Sequence, residues 1–191
     1  MIPQGPKLPP DAVDFFYALD GANYIVDIGK NVSRAPDPGL WTPEDMQQAL
    51  GAHTSDFIHG SEVRGLLDSI FAWSRTHNKV FRTFYACDGP DMRRLFQMIV
   101  TPTGRNALHI GHRRYFAAES PQQGTPELSR HSAPKCSFCC RFRLETRWID
   151  AAYQPSLTFE HSTHEVCDDC RDRLEVALGQ RKRMPRDGQR A

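Results

Sequence analysis

Nothing in the 191-residue chain approaches the roughly 18 consecutive apolar residues that a membrane helix needs, and the amino terminus lacks a basic-then-apolar leader. A soluble cytoplasmic protein without membrane contact is therefore expected. Net charge is missing as well: 24 basic side chains face 23 acidic ones, and the segment from 136 to 191 holds ten basic and nine acidic residues. Without an excess of positive charge the chain has no long-range pull on phosphate backbones, which argues against an electrostatically driven nucleic-acid binder. A Ser-His-Asp order, a phosphate loop and a paired-carboxylate signature are all absent, so no enzymatic activity is expected.

Four of the six cysteines fall into Cys136-Ser-Phe-Cys139 and Cys167-Asp-Asp-Cys170. A Cys-x-x-Cys turn bends back until both sulfurs face one point about 2.3 Å away, and two such turns complete a tetrahedral zinc shell. Cys136, Cys139, Cys167 and Cys170 are the expected ligands, with Cys140 able to replace Cys139, and His161 and His164 in reserve. Four protein ligands leave no position for water, so the zinc is expected to be structural. Few apolar anchors surround the pairs, which makes the metal the expected determinant of this module's fold.

The chain divides into a domain over 11–117, a linker over 118–134, a zinc-binding module over 135–179 and a basic disordered tail over 180–191. Four prolines in residues 1 to 10 read as a flexible lead-in. Asp11 is placed to cap a short helix with Val13, Phe16 and Tyr17 inward, ending near Asp20-Gly21. Asn23 to Ile28, closed by Gly29, reads as a strand, the proline-rich stretch 33–39 as a loop, and Thr42-Pro43 as a helix start. The repeat of Val63, Leu66, Leu67, Ile70 and Phe71 predicts a helix from Ser61 to His77, with Glu62, Arg64, Asp68 and Arg75 on its opposite face. Val80–Cys87, Arg93–Thr101 and Asn106–Phe116 predict three antiparallel strands joined by short turns, the middle one lying centrally. Past the first cysteine pair, Phe142, Leu144, Thr146 and Trp148 alternate with charged residues as in one strand. The second pair opens a helix ending at Gly179, which gives a zinc-ribbon or treble-clef-like unit.

One strand, short helices, one long helix and a three-stranded meander resemble the order of a PAS sensor domain, an α+β fold with an antiparallel sheet and flanking helices. Ser55-Asp-Phe-Ile-His-Gly-Ser-Glu-Val-Arg64, Phe81-Arg-Thr-Phe-Tyr-Ala-Cys-Asp-Gly-Pro90 and Arg93-Arg-Leu-Phe-Gln-Met98 resemble a group of bacterial PAS-like proteins. Cys136-Ser-Phe-Cys139, Trp148 and Thr163-His-Glu-Val-Cys-Asp-Asp-Cys170 resemble an ending found after bacterial sensory and response-regulator domains. The resemblance spans about residues 55 to 178. It implies a non-enzymatic signalling protein that binds a small ligand or a partner signalling protein, and it implies a homodimer. No histidine-kinase, cyclase or receiver segment follows the zinc unit in this sequence, so the output is expected in a partner or in the module itself.

Within that resemblance, Phe57, Leu66, Ile70, Phe84, Phe96, Met98 and Ile110 are the candidate cavity residues. His109 and His112 point to opposite faces of one strand and cannot share a metal, though some PAS domains use one histidine to ligate haem iron. The Asn-Cys-Arg-Phe motif of a covalent flavin photosensor is absent. Cys87 reads as packing rather than as a nucleophile. Arg82, Arg93 and Arg94 beside Asp88 and Asp91 read as turn-fixing ion pairs or as an anion site. The alternative function is a transcription regulator touching nucleic acid through the zinc unit and the Arg181-Lys-Arg183 tail.

Overall fold

The computed structural model describes residues 13–30, 42–88, 92–119, 130–150 and 158–180, with 43, 130–131 and 158–162 described by backbone alone. The lead-in, the Asp11 cap, the loop at 33–39, Asp91 and the tail from 181 onward lie outside these residues.

Phe15–Leu19 (β1), Ile25–Lys30 (β2), Phe81–Ala86 (β3), Met92–Pro102 (β4) and Leu108–Glu119 (β5) form an antiparallel sheet of order β2-β1-β5-β4-β3. Between β2 and β3 come Pro43–Ala49 (α1), a 3-10 turn at Thr54–Asp56, and Ser61–His77 (α2). Arg130–Cys136 (β6), Phe142–Leu144 (β7), Arg147–Ile149 (β8) and Thr158–Glu165 (β9) make a second sheet of order β8-β7-β6-β9, in which β6 and β9 are parallel. Asp168–Ala177 (α3) closes the described chain. The molecule is α+β, with sheets that are mainly antiparallel.

The helix expected around Val13 to Tyr17 is instead strand β1. Its side chains alternate: Phe15 and Tyr17 stack on His112 on one face, while Phe16 stacks on His109 on the other. Two strand partners, β2 and β5, satisfy its backbone, and pairing on both edges overrides a weak local helix preference. Strand β2 starts later than expected, because the Asp20 carboxylate accepts the amides of Ala22 and Tyr24 and holds residues 20–24 in a turn. It also runs through Gly29, since the Phe16 ring lies where a Cβ at 29 would stand, 2.8 Å away.

Helix α1 begins as expected, with Thr42 and Asp45 forming a reciprocal capping box. Helix α2 has the expected bounds and buries Val63, Ile70, Phe71 and Ser74. Its polar face does more than meet solvent. Arg75 donates to the carbonyls of Asn106 and Asp20 and to the Asn23 side chain, tying the helix to the β1–β2 and β4–β5 turns. Asn78 ends the helix in the left-handed conformation.

Strand structure occupies both ends of the expected linker, since β5 reaches Glu119 and β6 starts at Arg130. The single strand expected after the first cysteine pair is a hairpin, β7 and β8, reversed at Glu145, whose φ is 53°. Alternation alone does not show that Leu144 pairs with Arg147 across a two-residue turn. One hydrophobic cluster runs from Leu19, Ile70, Val100 and Ile110 to Cys136, Phe138, Val166 and Leu174, so the cysteine-rich part shares its core with the larger sheet. Ala86 donates to the Phe138 carbonyl at 2.7 Å, which covers the open edge of β3.

Gly60 marks the closest approach of the two parts. Its φ is +88°, and a Cβ there would lie 2.3 Å from the His164 carbonyl oxygen. Gly60→Ala is expected to destabilise the protein by more than about 2 kcal/mol, combining backbone strain with this clash. Gly51→Ala, at φ +84° with no atom within 4 Å, should lose only about 1 kcal/mol. Urea unfolding measures both, and equal losses would show that α2 does not rest against β9.

Candidate metal centre and adjoining cavity

Strand β6 ends on Cys136, and the chain then turns so that Cys140 donates to the Cys136 carbonyl at 3.0 Å while Cys136 donates to that of Arg141 at 2.8 Å. Ser137 donates to Glu165, fixing this knuckle to the end of β9. Cys167 caps α3, and its carbonyl accepts from Cys170 and Arg171, so the second pair sits on the first turn of a helix. The sulfurs of Cys136, Cys139, Cys167 and Cys170 all lie within 4.8 Å of one another, with Cys139 and Cys167 3.7 Å apart. Three of the four residues are buried and Cys139 is half-buried. This set could hold a single metal ion.

Of Cys139 and Cys140, it is Cys139 whose sulfur lies in the cluster. Cys140 has a φ of 59°, which turns its side chain away from the cluster and onto the amide of Asp88, a donor 3.4 Å from its Sγ. His164 does not join the cluster either: its Nδ1 lies 3.3 Å from the Ser137 hydroxyl and its ring stacks on His59. The side chain of His161 lies outside the described residues.

Four sulfurs this close cannot all ionise without a cation. Among the cysteines themselves, hydrogen bonds from Cys136 and Cys170, then Arg141, hold the Cys139 thiol far below its ordinary value. Hydrogen bonding to Cys136 and Cys139 drives Cys170 far upward. A metal ion would displace the remaining protons and relieve this asymmetry. Arg141 was read from the sequence only as part of an alternating pattern, yet its Nε is 3.2 Å from Cys139 Sγ, and its terminal nitrogen is 3.4 Å from Cys167 Sγ and 2.7 Å from Asp169. Were a divalent ion bound, four thiolates would keep a net 2−, and this guanidinium would offset part of that charge. At α2, the Glu62 carboxylate accepts the Val166 amide at 2.9 Å and pairs with Arg171, joining the helix start to the second knuckle.

A cavity of about 420 Å³ lies against the first knuckle. Its walls come from the inner face of the large sheet (Phe15, Tyr17, Tyr85, Met98, His112), from the helical segment (Phe57, Ile58, Val63, Leu67), and from Cys136, Ser137, Phe138 and Cys140. Of the residues expected to line a cavity, Phe57 and Met98 do so. Leu66, Phe84, Phe96, Ile70 and Ile110 do not, and the last three are fully buried core. Sequence periodicity identifies an inward face but not where two inward faces fail to touch. Cys87 lines the cavity, and of the arginine cluster Arg93 pairs with Asp150 at 2.8 Å and with Asp88 at 3.7 Å. His109 and His112 do lie on opposite faces.

His112 is 6 % exposed; the Tyr85 hydroxyl meets its Nδ1 at 2.8 Å, and its Nε2 has no partner among the described residues. Burial, and then the neighbouring His109, pushes its pKa down to about 3. The unfolded chain takes up a proton near pH 6.5 that the folded protein refuses until about pH 3. Stability should therefore fall on acidification below about pH 6.5, by up to about 1.4 kcal/mol per pH unit. His112→Phe should flatten that slope by one proton when urea midpoints at pH 7 and pH 5 are compared. For the cluster, Cys→Ser at 136, 139, 167 or 170 should abolish the thiolate-to-metal absorption seen when Co²⁺ is added to reduced protein. Cys140→Ser and Cys87→Ser should keep it, and loss in Cys140→Ser with retention in Cys139→Ser would reverse the assignment.

No protein-family model matches this chain, and no curated protein does, so any functional reading rests on the residues of the site.

Proposed function

We propose that this chain is a non-enzymatic, bacterial, cytoplasmic signalling protein with a PAS-like ligand-binding domain coupled to a structural zinc module. The observation that carries the reading is the cavity, because one wall is the inner face of the large sheet and another is the first cysteine knuckle, metal ligand Cys136 included. A molecule entering that space meets both parts at once. The PAS-like reading is supported by the order β2-β1-β5-β4-β3 with every helical segment of that part between β2 and β3. Four sulfur donors favour zinc, which suits a closed tetrahedral thiolate shell, and a closed shell serves structure because no ligand position is free. A knuckle followed by a hairpin, with the second ligand pair at a helix start, supports the treble-clef-like reading.

The mechanism is a population shift. The Ala86–Phe138 backbone bond, the Gly60–His164 contact and the Glu62 link together set how the module sits on the sheet. A ligand that fits one packing better than another moves the balance, by no more than its difference in affinity for the two. A volume of about 420 Å³ falls within the range of small-molecule sites.

Hydrogen exchange on the full-length, zinc-loaded protein tests this with 2-naphthamide, a planar probe small enough for the cavity. Binding should slow exchange at residues 136–140 and 164–167 as well as at the cavity wall around 57–67. Binding with no change in either cysteine segment would refute the coupling. Removing the metal with a chelator should raise exchange across the same segments, and unchanged protection would refute the structural role of zinc.

A further inference from the structure

The charges around the cavity are unequally satisfied. Asp88 is the only acidic residue among its lining residues, and it is occupied: Oδ1 accepts the Arg94 amide at 2.9 Å and Oδ2 lies 3.7 Å from Arg93. Lys135 is the only lysine or arginine there. It is half-buried, its Nζ donates to the Asp88 main-chain carbonyl at 3.3 Å, and it lies 5.8 Å from the centre of the Phe142 ring. Among the described residues no carboxylate is within ion-pair distance of it. With a neutral carbonyl as its one hydrogen-bond acceptor among the described residues, this partly desolvated ammonium is under-compensated there.

Two alternative uses of that charge are weaker. The thiolate cluster already has Arg141 within hydrogen-bonding distance of two sulfurs, whereas the contacts of Lys135 are to Asp88 and Phe142. Two of the three histidines at the cavity are otherwise occupied, His112 being held neutral and His164 lying against Ser137 and His59, and the third, His59, is exposed. Much of the remaining wall is apolar or aromatic: Phe57, Leu67, Met98 and Phe138.

Resting on the ligand-binding reading above, we infer that the cavity takes a small carboxylate with a planar apolar body, its anionic group on Lys135. The apolar body displaces water from the aromatic and aliphatic wall, and the carboxylate makes a charge-assisted hydrogen bond to the ammonium. Position makes the contact informative. Lys135 immediately precedes Cys136, and its Cα pairs with Phe142 on one side and His164 on the other. An anion that draws Lys135 away from the Asp88 carbonyl therefore acts on the strand that ends in the first metal ligand.

Calorimetric titration of the zinc-loaded full chain with sodium 2-naphthoate and with 2-naphthamide separates the charge from the shape. Wild-type protein should bind the naphthoate at least about tenfold more tightly, the equivalent of one charge-assisted contact. Lys135→Met, which keeps the length but not the charge, should bind both probes alike, and Lys135→Arg should keep the preference. The wild-type comparison stands even where a variant folds poorly. Equal or weaker binding of the naphthoate by wild type, or a preference that survives Lys135→Met, overturns the carboxylate assignment while leaving a ligand cavity in place. Failure of both probes to bind overturns the assignment and the cavity reading together.

Discussion

Four cysteine sulfurs drawn within 4.8 Å of one another, three of them on buried residues, impose the constraint on which the smaller part of this molecule depends. Thiolates at that separation repel, and thiols there waste the strongest ligands the chain has, so a cation is the natural completion. The surrounding elements bring the sulfurs together: β6 ends at the first, the start of α3 supplies the last two, and the backbone of β9 holds the knuckle through Ser137. Arg141 lies against two sulfurs and an aspartate, limiting how much negative charge the centre shows to its neighbours.

That centre is not an isolated appendage. Cys136, Phe138, Val166 and Leu174 belong to the same hydrophobic cluster as Ile70, Val100 and Ile110, and Glu62 spans the junction from the first turn of α2. The contact is incomplete, and the gap it leaves is the cavity. Dense packing transmits strain where side chains interlock, so the sheet and the knuckle are coupled through the contacts around this space and not across it.

Electrostatics divides the cavity into a neutral region and a charged one. His112, kept uncharged by burial against Phe15 and Tyr17, contributes an aromatic surface rather than a cation. Lys135 brings a basic side chain to the cavity from the strand that ends in the cysteine cluster. Both follow from the pairing of β5 with β1 and of β6 with β9, neither of which is local in sequence.

Local signals determined much of this protein. The two Cys-x-x-Cys pairs named four residues that converge, the period of apolar residues set the bounds of α2, and Thr42-Pro43 marked the start of α1, because ligand spacing, helical periodicity and capping act within a few residues. The meander of β3, β4 and β5 was legible for the same reason, its turns being short. Tertiary structure decided the rest. Phe15 to Leu19 is a strand because β2 and β5 flank it, Cys140 leaves the cluster because its backbone turns left-handed, and Arg141 and Glu62 acquire partners many residues away. The cavity, too, exists only where separate segments meet without filling space, a property of the packed chain that no local pattern of residues carries.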